Sequence, residues 1–199
     1  MLLRHFARRL ALSLMLVSWM ATAESLAADA NLGLVAHYHF ETLVDGLLKD
    51  DSGKGNNLHA QGTVRLAPGK VGQAVVVSRA GYPQAPRAES LELGGAMTLE
   101  AWIKPSRAAD MRIFDRQTIG GSDGFLLDTH PNGHLRLIIA PGMLRDLEPL
   151  PIGEWSHVAA TYCEESGEAR LYRNGRVVAE GFFAGKLRPS IHPLNLGAS

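Results

Sequence analysis

The strongest constraint on this chain is a two-residue rhythm. In "LVAHYHF" (34–40), Leu34, Ala36, Tyr38 and Phe40 share one side of an extended chain, and Val35, His37 and His39 share the other. "MTLEAWIKP" (97–105) repeats the pattern. Met97, Leu99, Ala101 and Ile103 make an apolar face, and Thr98, Glu100, Trp102 and Lys104 make a mixed one. A period of two belongs to a half-buried β-strand. The runs are short and punctuated by turns. "QAVVVS" (73–78) is apolar and β-branched, "GFLLDTHPNGHLRLII" (124–139) is two runs joined by "HPNG", and "HVAATYCEESGEARLYRNGRVVAEG" (157–181) adds three more. Asn174-Gly175 predicts a type I′ hairpin, because both central residues of that turn need positive φ. Asn132-Gly133 predicts the same for the earlier pair. "DGLLKDDSGKGNNLHAQG" (45–62) reads as a surface loop before a short strand. No segment after the N-terminal stretch sustains a helical period. The expected fold is all-β, a two-sheet antiparallel sandwich.

The chain opens on "MLLRHFARRLALSLMLVSWMATAES", which has a basic start (Arg4, Arg8, Arg9), an apolar run and small residues before a cleavage zone. The apolar run is about half a membrane span in length. Residues 1–28 are therefore expected to be a signal peptide, cut after Ala23, Ala27 or Ala28, which predicts a secreted, periplasmic or cell-surface protein with no membrane span in the mature chain. The remainder, 29–199, suffices for one domain with a real core. Lys+Arg and Asp+Glu number 20 each. Losing three arginines and Glu24 with the signal leaves a slight negative charge, so nothing favours nucleic acid or an anionic membrane as partner. Cys163 is the single cysteine, which rules out an intrachain disulfide.

An ordered set of pieces resembles one family: "LVAHYHFE", "LKDDSGKGNNLHAQG", "PGKVGQAVVV", "MTLEAWIKP", "GFLLDTHPNGHLRL", "GEWSHVAATY", "ARLYRNGRVVAEG" and "PLNLGA". Together they are similar to the laminin-G-like, concanavalin A-like jelly-roll domains of exported bacterial proteins, over roughly Leu34 to Ala198. The resemblance implies two antiparallel sheets packed face to face. It also implies a further strand after "PLNLGA", so the sandwich is expected to lack its last strand and the chain to be a truncated domain. Some similar domains hold calcium at the rim. In "DDSGKGNN" the residues available for that are Asp50, Asp51, Asn56 and Asn57, without the acid spacing of an EF-hand loop; an Asx-rich turn capping its own backbone is the alternative.

Catalysis has little support. Two glycosidase carboxylates need to stand roughly 5–10 Å apart. The nearest local match, Asp146-Leu147-Glu148, lies in "PGMLRDLEPLP", which reads as loop. Cys163 and His157 share a strand face about 20 Å apart, too far for an activated thiolate. His37 and His39 are spaced to share an ion, but no further ligand motif accompanies them. Trp102 lies among polar residues on an outer sheet face, where its ring could stack a sugar while Glu100 takes hydroxyls. The competing reading is that Trp102 covers cross-strand neighbours and the Lys104 stem. The expectation is a non-enzymatic, exported recognition or adhesion module whose partner is a glycan or a cell-surface or extracellular protein. The alternatives are an accessory carbohydrate-binding domain of a larger extracellular hydrolase and a structural spacer.

Overall fold

A computed structural model of the chain describes residues 33–118, 120, 123–140 and 142–197. The chain divides into two units, Met1–Val35 and Ala36–Ser199. Of the first, only residues 33–35 are described, and the expected signal peptide lies outside the described residues. Among the described residues of the second unit, every regular element is a strand apart from a 3-10 turn, Glu89–Leu91.

Eight strands make the larger sheet: β1 (Leu47–Leu48), β2 (Leu58–Gly62), β5 (Gly81–Ala85), β7 (Met111–Arg116), β8 (Phe125–Thr129), β9 (His134–Ile139), β10 (Gly142–Pro149) and β14 (Leu194–Leu196). Their order across the sheet is β1-β2-β5-β14-β7-β8-β9-β10. The smaller sheet contains β6 (Ala96–Ile103), β11 (Ser156–Cys163), β12 (Glu168–Arg173) and β13 (Arg176–Phe182), in the order β13-β12-β11-β6. Every ladder in both is antiparallel. A hairpin of β3 (Arg65–Pro68) and β4 (Gln73–Val76) stands as a third small sheet, which the two-sheet expectation omitted.

The core lies between the inner faces of the two large sheets. Leu127, Leu135, Leu137, Val158, Ala160 and Leu171 are fully buried there. On β6, Met97 and Leu99 are buried while Thr98, Glu100 and Trp102 are exposed, so the expected face assignment holds. Ala160 meets the core, and the Tyr162 hydroxyl donates to Phe183 O and Gly185 O. Both Asn-Gly turns form with positive φ, 54° and 89° at Asn132-Gly133 and 50° and 76° at Asn174-Gly175.

Four expectations change. Residues 34–40 carry no strand. There the backbone of His37 is taken by the 50–56 loop, its N–H donating to Asp50 Oδ1 and its carbonyl accepting from Asp51 N, and Phe40 has φ 60°, which breaks an extended run. The 45–62 segment is only partly a surface loop, since β1 and all of β2 lie in it and Asp50 and Asn56 are buried. Within "PGMLRDLEPLP", Gly142–Pro149 is strand β10. Leu144 and Asp146 point inward between exposed Met143, Arg145 and Leu147, and the ladder with β9 outweighs the flanking prolines. Finally, β14 was expected beside an unfilled place. It has a partner on each side, Asn195 lying opposite both Gln84 of β5 and Asp115 of β7.

Candidate functional site

The outward face of the eight-stranded sheet carries polar side chains in register. His59, Gln84, Asn195 and Asp115 follow one another directly across β2, β5, β14 and β7. The lane ends in an apolar step, where Leu126, Ile138 and Met143 continue the same row on β8, β9 and β10. Gln84 Nε2 donates to Asn195 Oδ1 at 2.8 Å, which fixes both amides. The neighbouring row runs Arg112, Asp128, Arg136, Arg145. Asp128 is 4% exposed although it faces outward, because Arg136 lies over it with Nε at 2.9 Å and Nη2 at 2.6 Å from its two oxygens. Arg112 reaches Asp128 and Asp115 at 3.6 Å each. Tyr82 and Gln61, directly opposite each other on β5 and β2, extend the hydrogen-bonding surface. Such a face offers donors and acceptors held by a rigid sheet, which is how a surface reads hydroxyl positions. Sequence reasoning missed this lane. The alternation of "LHAQG", "HLRLII" and "PLNL" signals only that their polar residues face away from the core, not which of them become neighbours.

The second outer face belongs to the smaller sheet. Trp102 is 47% exposed, directly opposite His157, with the two rings edge-on at 5.2 Å. Lys70, from the β3–β4 turn, places Nζ 5.1 Å from the indole centroid, a cation–π contact. Glu100 Oε2 is 3.8 Å from His157 Nε2. Trp102 and Glu100 are thus brought together, with His157 beside both. Part of the indole is covered by protein and part faces solvent.

The four residues proposed for calcium cluster as a self-capped loop. The Asp50 carboxylate accepts from His37 N and Ser52 N through Oδ1, and from Ser52 Oγ and Asn56 N through Oδ2, at 2.8–2.9 Å. Burial pushes this carboxyl upward, but the hydrogen bonds from His37, Ser52 and Asn56 outweigh it and hold it below the usual carboxylate range. Asn57 Oδ1 accepts from Asp50 N, and the Asn56 amide exchanges hydrogen bonds with Ser90 Oγ. Asp51 binds Lys49 and His39 at 2.9 and 3.0 Å, which lowers its carboxyl to about 2. A carboxylate has about four acceptor sites, and Asp50 has used four. As arranged, Asp50 offers no open position to a calcium ion, and among the described residues no group of three or more His, Cys, Asp or Glu is placed to hold a metal.

Asp146 and Glu148 share one partner, Arg173, whose Nε is 3.5 Å from Asp146 Oδ2 and whose Nη2 is 2.7 Å from Glu148 Oε2. Asp146 is buried and Glu148 exposed. Hydrogen bonds led by the Ser166 N–H depress the thiol pKa of Cys163, at the β11–β12 turn.

The sequence profile of the concanavalin A-like lectin/glucanases superfamily matches residues 78–199, in its laminin G form. The chain belongs to that superfamily. No curated protein matches it. Among solved structures, domain 4 of AbnA, an extracellular GH43 arabinanase from Geobacillus stearothermophilus solved with arabinotriose, is 20% identical with a TM-score of 0.61, covering 83% of each chain. A structure of botulinum neurotoxin type C, whose cell entry depends on two ganglioside molecules, is 14% identical with a TM-score of 0.62; the match covers 84% of this chain and 44% of that one. The binding domain of botulinum neurotoxin DC, solved with rat synaptotagmin II, gives 14% and 0.60 over the same shares. At these identities the likeness is one of fold. No helix among the described residues is long and apolar enough to cross a membrane.

Proposed function

We propose that this domain is a non-catalytic recognition module of an exported protein, and that it binds a glycan on the outward face of the eight-stranded sheet. The observation that carries this reading is the lane of His59, Gln84, Asn195 and Asp115, placed side by side by four strands distant in sequence. Outward positions on a sheet need no such continuity for stability, and an uninterrupted line of donors and acceptors suits a polyhydroxylated chain. The non-catalytic part rests on the carboxylates of this face. Asp128 is committed to Arg136, and Asp115 is paired with Arg112, so neither is free to act as acid, base or nucleophile. A role as accessory domain of a larger extracellular hydrolase is the second reading, favoured by the arabinanase domain of matching extent that carries arabinotriose.

Affinity electrophoresis of the purified chain through gels containing soluble polysaccharides tests the proposal, with a glycan array beside it. Gln84→Ala and Asn195→Ala are expected to abolish retardation without lowering Tm by more than a few degrees, and Trp102→Ala to leave it intact. Absence of binding to every glycan tried would sink the reading. Retention in both amide variants with loss in Trp102→Ala would move the site to the smaller sheet.

A further inference from the structure

We propose that the glycan is acidic, and that a carboxylate or sulfate on one of its rings sits between Arg136 and Arg145; this rests on the glycan-binding reading above. The β9–β10 register sets these two arginines directly opposite one another on the outward face. Side chains so placed have Cβ atoms about 4.5–5.5 Å apart, and like charges there repel. The acids of the row compensate Arg136, through Asp128 and more weakly Asp110, but leave Arg145 without one. Asp128 takes Arg136 through Nε and Nη2, and Arg112 divides itself between Asp128 and Asp115. Asp110, bound to His130 at 2.8 Å and to Asn132 N at 2.9 Å, is already engaged. Two carboxylates therefore match two guanidiniums, and the third, Arg145, has no acidic partner among the described residues. A local rule broken without internal compensation is what a binding site looks like in an otherwise consistent fold.

The geometry around the pair suits a ring that carries an anion. A guanidinium presents a planar fork that binds carboxylate or sulfate oxygens in pairs; Asp128 already holds the Nε–Nη2 edge of Arg136, so the paired contact falls to Arg145 and Arg136 adds its charge. Two residues further along the same strands, about 7 Å away, Ile138 lies opposite Met143, which is 50% exposed. The anion would lie on the arginines and the C–H face of the ring on this apolar step. The hydroxyls of neighbouring units would run toward Asp115, Asn195 and Gln84.

The experiment is affinity electrophoresis of the full chain in four gels: polygalacturonate for carboxylate, dextran sulfate for sulfate ester, and neutral dextran and debranched arabinan as uncharged arms. Retardation by polygalacturonate or dextran sulfate is expected, with affinity about tenfold weaker in Arg145→Gln, the worth of one charge-assisted hydrogen bond. Arg145→Lys should fall between, since it keeps the charge and loses the fork. Arg145 is exposed, so a folded Arg145→Gln is expected, and a melting curve checks it. Polyanion binding that a folded Arg145→Gln leaves unchanged would overturn the inference. So would binding confined to the neutral gels, which would leave the glycan reading standing. No binding in any gel or on the array would remove both.

Discussion

Replacing Asp50 by alanine separates a self-capped loop from a metal cradle. The carboxylate accepts four hydrogen bonds, and Asn56, whose N–H is one of two donors at Oδ2, is 4% exposed. Losing the acceptor strands that buried N–H at about 1–3 kcal/mol. The other three bonds are partly buried, and water can replace part of each, at about 0.5 kcal/mol or more apiece. Relief from burying a charge subtracts a little, so the net loss should be about 3 kcal/mol. For a domain of this size that is roughly 6–12 °C in Tm. The loss should also depend on pH. The native carboxyl titrates below its ordinary value of about 3.9, so its contribution is fully present above about pH 4 and disappears as pH falls through the native pKa. Urea unfolding of both proteins at pH 7 and pH 3 measures this, with and without calcium. A deficit below about 1 kcal/mol at pH 7 would refute the hydrogen-bond accounting. A calcium-dependent rise in wild-type Tm that Asp50→Ala abolishes would show the loop to be a metal site.

Three further outcomes are expected. Arg145→Gln should stabilise the unliganded protein by up to about 1 kcal/mol at low salt, by removing a like-charge cross-strand pair, and the gain should shrink as salt rises; chemical denaturation at two ionic strengths reads it. Trp102→Ala should cost about 1–2 kcal/mol, from the lost His157 and Lys70 contacts, well short of the 3–5 typical of a buried ring. Tyr162→Phe should cost about 1–3 kcal/mol, because two carbonyls, of Phe183 and Gly185, lose their shared donor, and urea midpoints at unchanged m-value would show it.

Alternation alone predicted the inner face of β6 and the three-strand run of β11, β12 and β13, because each strand there is long enough for its apolar side to stand out. The Asn-Gly turns were equally plain, since few other pairs take positive φ twice. Strand β5 was hidden by Pro83, which removes a ladder donor and argues against a central strand, yet Pro83 is fully buried in the sheet. Strand β10 was hidden by the prolines at 141 and 149. The lane from His59 to Asp115 could not be read from one sequence. Alternation tells which side of a strand a residue faces, but which residues become neighbours depends on a strand order that is not the chain order. For Trp102 the sequence reading had the right face and a cross-strand neighbour, which is His157, but not Lys70, which arrives from the β3–β4 turn.

The placing of β14 between β5 and β7 is expected to make the polar face a late product of folding. Gln84 and Asn195 touch although 111 residues separate them, and contacts of that separation form only after a large loss of chain entropy. Hairpins such as β8–β9 close locally and early. Until β14 docks, the residues of the lane lie on two separate pieces of sheet with an open seam between them, and no extended chain could lie across both. Ligand capture by this surface would thus report that the sheet has closed, and a pulse of labelled glycan during refolding would trace the arrival of a single three-residue strand.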